Sequence, residues 1–229
     1  MQTLRMKLYL DLVKQNLLFF VLFVFLVTAA SGISITHTKI NCFIELNTLH
    51  NHLLDVFFIT VTYLGDGSVI ILISAIIILL WRQYRLGVQL LLAYMVSGIL
   101  VQLLKHFFTA PRPKTIISDL NYHYFISGIT HSGWNSFPSG HTTSIFAIVT
   151  VLTLFFKNSG ACLLLLITAL LVGYSRIYLG QHFLEDVIAG SILGVTTGLF
   201  VYCITLNKEW PFRGFNLNRN ESGEHSYLP

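Results

Sequence analysis

Leu17 to Ile35 is a run of 19 residues without one ionisable side chain, and further apolar runs fill most of the chain behind it. About 20 mostly apolar residues are what an α-helix needs to cross the hydrocarbon layer of a bilayer. The later runs are Leu53 to Leu64 joined to Ser68 to Trp81 across Gly65-Asp66-Gly67, then Leu86 to Leu104, Thr142 to Phe156, Ala161 to Gly173 and Val187 to Leu206. Counting the joined pair once predicts six spans. The expected fold is all-α, an integral membrane bundle of six transmembrane helices over residues 1–206, with a polar cytoplasmic tail over 207–229. The Gly65-Asp66-Gly67 break reads as a bend between two helix pieces, without a catalytic role.

Composition agrees with this reading. Only 10% of the 229 residues are charged and 54% are apolar, where a soluble domain carries about 25% charge. So few charges would leave a water-facing globule of this size largely uncovered, and so many apolar residues would collapse rather than stay disordered. The three cysteines are scattered, Cys42 in the first outer loop and Cys162 and Cys203 in spans. They outline neither a disulfide framework nor a metal knuckle.

Cations orient the spans, because Lys and Arg collect on the cytoplasmic side of short loops. With the N-terminus inside, the inner set is Arg5, Lys7, Lys14, Arg82, Arg85, Lys157, Lys208, Arg213 and Arg219, nine of the fourteen. The outer set is Lys39, Lys105, Arg112, Lys114 and Arg176. Both termini are thus expected in the cytoplasm and the loop 106–140 outside. The first run exceeds the apolar stretch of a signal peptide, usually about 7–15 residues, so a retained helix is expected.

Ionisable groups are costly near the membrane interior and ask for a reason. Three clusters stand at the outer ends of spans: Lys105 with Arg112-Pro113, Pro138-Ser139-Gly140-His141, and Ser175-Arg176 with His182 and Asp186. Gly140 at a helix start lets backbone N–H groups approach an anion, and the helix dipole favours negative charge there. Ser139 adds a hydroxyl. Lys105, Arg112 and Arg176 suit tetrahedral phosphate oxygens. His182 and Asp186 are four residues apart, so on a helix the carboxylate can hold one imidazole nitrogen and leave the other free to attack. His141 is placed to supply a proton. His37, His50, His52, His106, His123 and His131 read as interfacial residues. Zinc on His141, His182 and Asp186 is the competing reading. It would put a dication among three permanent cations against Asp186 and Glu185 alone, and the same excess of positive charge favours a phosphate.

These clusters resemble the signature of the type 2 phosphatidic acid phosphatase superfamily, which also contains the vanadium haloperoxidases. Its lysine, six residues, Arg-Pro motif is matched by Lys105 and Arg112-Pro113, its Pro-Ser-Gly-His by Pro138 to His141, and its Ser-Arg, His, Asp motif by Ser175-Arg176, His182 and Asp186. The resemblance implies a metal-independent membrane hydrolase of lipid phosphates that needs no cofactor. In it His182 would be the nucleophile forming a phosphohistidine, Asp186 its orienting partner, and His141 the general acid. Lys105, Arg112, Ser139, Gly140 and Arg176 would hold the phosphoryl oxygens. The implied partner is a phosphorylated membrane lipid, with no nucleic acid and no obligatory protein partner. The substrates to consider are undecaprenyl pyrophosphate, phosphatidylglycerol phosphate, phosphatidic acid and lipid A phosphates, met at the outer or periplasmic side of a bacterial inner membrane. A carrier or scramblase of phosphorylated lipids is the alternative, because a cationic pocket beside a broken helix suits transport too. The segment Lys114 to Asn135, with Tyr122, Tyr124, His131 and Trp134, reads either as a cap over the headgroup or as an interfacial aromatic belt.

Overall fold

The computed structural model describes residues 11–118 and 121–206, so the expected tail at 207–229 lies outside the described residues. The described chain is helical. Four helices are long and apolar enough to cross a membrane on their own: α1 (Leu17–Thr36), α5 (Tyr84–Phe107), α7 (Ser159–Tyr178) and α8 (Leu184–Thr205). A short helix, α2 (Lys39–Leu46), follows α1, and α3 (His52–Thr62) and α4 (Gly67–Leu79) meet at a 58° bend. The remaining apolar helix, α6 (Gly140–Phe156), has 17 residues. Four spans are therefore unambiguous by length, a fifth follows if the bent pair counts as one, and α6 sits at the short limit for crossing.

The surface explains why the chain needs so little charge. Large apolar side chains on α1, α4, α5 and α8 face outward, among them Val24, Phe25, Leu72, Ile99 and Phe200, each more than half exposed. In water such a belt would drive aggregation; in a bilayer it is the solvated face.

Inside, α6 is the hub, buried along most of its length from Thr142 to Leu154. Its hydroxyls are accommodated by back-bonding, as when Thr143 Oγ1 donates to the Ser139 carbonyl at 2.8 Å and Thr150 Oγ1 to the Phe146 carbonyl at 2.7 Å. Such bonds satisfy polar groups within the helix that carries them. Its most extensive neighbour is α8, and the reason is a stripe of small residues. A Cβ at Gly194 would lie 2.5 Å from the Thr143 carbonyl oxygen, and one at Gly198 2.5 Å from that of Ala147. Close backbone approach of this kind is how helices associate without a hydrophobic driving force between them.

Two expectations change. The fifth helix does not stop at Gly173 but runs to Tyr178, so Ser175 and Arg176 sit in a buried helical turn and His182 stands in the short connection to α8. The helix can carry Arg176 because the guanidinium finds a partner across the bundle. Cys42 is not in a loop: it is buried in α2, and all three cysteines are free.

Candidate active site

The starts of α6 and α8 are tied together, and this brings two of the three motifs to one place. The Ser139 N–H, just ahead of Gly140, donates to the Asp186 carbonyl at 3.0 Å. Ser139 Oγ, fully buried, accepts from Thr142 Oγ1 at 2.8 Å, which leaves its own proton for a bound oxygen. Packing does not demand glycine at 140, where a Cβ would find only ordinary contact with Val101 at 3.7 Å. What Gly140 keeps open is access to the helix N–H groups, the feature of an anion site.

His182 is 2% exposed and Asp186 wholly buried. Nδ1 of His182 lies 3.5 Å from Asp186 Oδ2 and 3.3 Å from Ser136 Oγ, while the Ser136 hydroxyl donates to that same Oδ2 at 2.6 Å. The Phe183 N–H adds a donor at 2.9 Å. The imidazole is thus held at Nδ1. At 3.5 Å the carboxylate is slightly beyond a formed hydrogen bond, as catalytic pairs often are before ligand binds. Burial pushes the His182 pKa down, and the Asp186 carboxylate opposes that shift. The net direction keeps the ring neutral.

The cations are held by residues from distant segments. Arg112 donates through Nε to Asn135 Oδ1 at 3.0 Å and through Nη1 to Gln181 Oε1, and its N–H is fixed on the Gly133 carbonyl at 2.8 Å. Burial lowers its pKa, with Asp186 working against the shift. Arg176, 8% exposed, donates through Nη1 to Thr62 Oγ1 at 2.7 Å, while its Nε is buried and unpaired among the described residues. A buried charged donor without an acceptor is costly, and a phosphoryl oxygen would complete it. Lys105, half-buried in the last turn of α5, lies within electrostatic reach of Arg112, Arg176 and Asp186.

Arg112, His141, Arg176, Thr62, Gln181 and Asp66 all border one cavity of about 340 Å³. His141 presents Nε2 to it, 3.9 Å from Asp66 Oδ2.

Sequence reasoning missed five of these residues. Ser136 and Gln181 adjoin the motifs and were legible as their polar neighbours; Thr62, Asn135 and Asp66 carried no signal of this kind. Glu185, weighed as a second acid in the pocket, is turned away. It pairs with Lys39 at 3.2 Å and accepts from Ser34 at 3.3 Å. On a helix, adjacent residues point about 100° apart, so Asp186 and Glu185 cannot both face the site.

His50 is enclosed by aromatic rings. Its side chain is buried, stacked 4.1 Å from the Tyr178 ring and 4.8 Å from that of Tyr124, with the Tyr122 hydroxyl 3.0 Å from Nε2. Burial lowers its pKa against the pull of Asp55. Tyr122 and Tyr124 clamp the 114–135 segment to the bundle, His131 borders the cavity, and Trp134 is exposed. Among the described residues, no three His, Cys, Asp or Glu side chains converge as a metal would need.

The family model for the PAP2 superfamily matches residues 86–210, which contain all three clusters. The chain belongs to the PAP2 superfamily. This PAP2 chain is 30% identical over 175 residues, 72% of each chain, to a lipid A 4'-phosphatase of Porphyromonas gingivalis. It is 36% identical to LpxE of Aquifex aeolicus, whose crystal structure superposes with a TM-score of 0.60 over 69% of this chain and 91% of that one. The PAP2-type phosphatidylglycerolphosphate phosphatase of Bacillus subtilis shares the fold, at 23% identity and a TM-score of 0.63, over 87% of this chain and 99% of its own.

Proposed function

We propose that this PAP2 protein is an integral membrane phosphatase that hydrolyses a lipid phosphate or pyrophosphate through a phosphohistidine, with six spans, cytoplasmic termini and the site at the outer face of a bacterial inner membrane. The observation that carries it is the buried His182–Ser136–Asp186 cluster beside two arginines, one of them with an unpaired buried Nε. The named phosphatases among its relatives support the same class. The orientation rests on the excess of cations in the loops assigned to the inner side.

The chemistry follows from positions. Lys105, Arg112, Arg176, Ser139 and the N–H groups at Gly140 take the phosphoryl oxygens, so charge on them is stabilised by groups already in place. His182 Nε2 attacks phosphorus, the bond to the lipid oxygen breaks, and that oxygen takes the bond's electron pair and a proton from His141. Water then attacks the phosphohistidine, giving its proton back to His141 and releasing phosphate with His182 neutral. Dividing the displacement in two lowers each barrier. No step needs a metal ion.

Inorganic phosphate release from micellar phosphatidic acid, lipid A and undecaprenyl pyrophosphate, with chelator present, tests the reading. The wild-type protein is expected to release phosphate and the His182→Ala variant none above background. Activity that survives in His182→Ala would sink the nucleophile assignment, and a wild type inactive on the whole panel would favour the carrier.

A further inference from the structure

The bend between α3 and α4 is shaped by its two glycines. A Cβ on Gly65 would stand 2.9 Å from both the His141 carbonyl oxygen and Val172 Cγ1, and one on Gly67 would stand 1.8 Å from the Tyr94 hydroxyl. A side chain at 65 must push the backbone of α6 away, and one at 67 must displace the Tyr94 ring. The residue between them is therefore pressed against the first turn of α6. That residue is Asp66. Its Oδ1 is occupied at the start of α4, accepting from the Ser68 N–H at 2.8 Å and from Ser68 Oγ at 2.5 Å. Its Oδ2 is turned to His141 Nε2 at 3.9 Å, and the carboxylate borders the cavity.

Resting on the phosphatase reading above, His141 marks where the departing oxygen must come, so whatever carries that oxygen enters the space beside Asp66. A monophosphate lipid releases a neutral alcohol there. A diphosphate lipid releases a second phosphate, whose negative charge would arrive next to a fixed carboxylate, with Arg112 and Arg176 already engaged by the transferred phosphoryl group. We propose that Asp66 is a specificity-determining residue that selects lipid phosphate monoesters of neutral alcohols over lipid diphosphates by charge at the leaving-group position.

Phosphatidic acid and diacylglycerol pyrophosphate with identical acyl chains isolate this difference, since only the departing group changes. Phosphate release by the full chain in mixed micelles gives kcat/KM for each. The wild type is expected to favour phosphatidic acid, and Asp66→Asn to move the ratio toward the diphosphate by about tenfold, a modest value for one charge at a partly open site. Asparagine keeps the Oδ1 acceptor for Ser68. Asp66→Ser, which keeps a helix-capping hydroxyl and also lacks the charge, is expected to move the ratio the same way. A wild type that prefers the diphosphate, or a ratio unchanged in both variants, overturns the inference while leaving the phosphatase reading intact. Hydrolysis of neither lipid by the wild type overturns the inference, and the phosphatase reading falls with it only if lipid A and undecaprenyl pyrophosphate are inert as well.

Discussion

The two sides of the site are built in opposite ways. On the side of the proposed nucleophile His182, Asp186 and Ser136 are buried and linked by contacts of 2.6–3.5 Å. On the side of the proposed general acid the His141 and Asp66 side chains are 32% and 39% exposed and stand 3.9 Å apart. A nucleophile must keep one tautomer and one direction through both displacements, and burial with fixed partners enforces that. An acid must let go of its resting partner when the leaving oxygen arrives, and a loose, half-open pair allows it.

Breaking the tight side should cost most. Asp186→Asn leaves the shape but removes the acceptor that sets the His182 tautomer, and kcat is expected to fall on the order of 10³–10⁴-fold, by analogy with the same change in a serine-protease triad. The loss should be equal for alkyl and aryl phosphates, measured side by side. His141→Ala should cost about 10²–10⁴-fold on a lipid phosphate, the range for general acid catalysis. This defect should shrink on 4-nitrophenyl phosphate, whose leaving group departs without a proton. If both variants respond alike to the leaving group, the division into two sides is wrong.

Smaller changes sharpen the contrast. Ser136→Ala removes the hydroxyl shared by His182 and Asp186, and about 10-fold to 100-fold in kcat is expected by comparison with other supporting hydrogen bonds. The melting temperature in detergent should also fall, because Asp186 Oδ2 loses a buried donor. The smallest effect is in pH dependence. A His182 pKa lowered by burial keeps the ring unprotonated as pH drops through its ordinary value of 6.5. The acid limb of kcat/KM should therefore lie below pH 6.5, and a limb at or above that value would contradict the buried, neutral nucleophile.

Much of this was legible in the chain because it is local. Nineteen uncharged residues from Leu17 to Ile35 announce a span, and His182 and Asp186 are near enough in the chain to meet, with His182 just ahead of α8 and Asp186 in its first turn. The short connection after Tyr178 was harder to see, since Arg176 looks like the end of an apolar run until Thr62 is found holding it. Glu185 and Asp66 make the point most plainly. The acid adjacent to Asp186 faces away, and the acid 120 positions earlier faces the site.

By itself the sequence determined that the chain lives in a bilayer, where its long apolar helices lie and that it carries the PAP2 signature, because hydrophobic burial and helical periodicity act over neighbouring residues. Only the tertiary structure decided that Ser136 joins His182 and Asp186, that Thr62, Asn135 and Gln181 hold the arginines, and that Asp66 stands beside His141. Those contacts depend on how closely separate helices approach, and that distance is set by glycines such as Gly65, Gly67 and Gly194, whose partners lie far away in the chain.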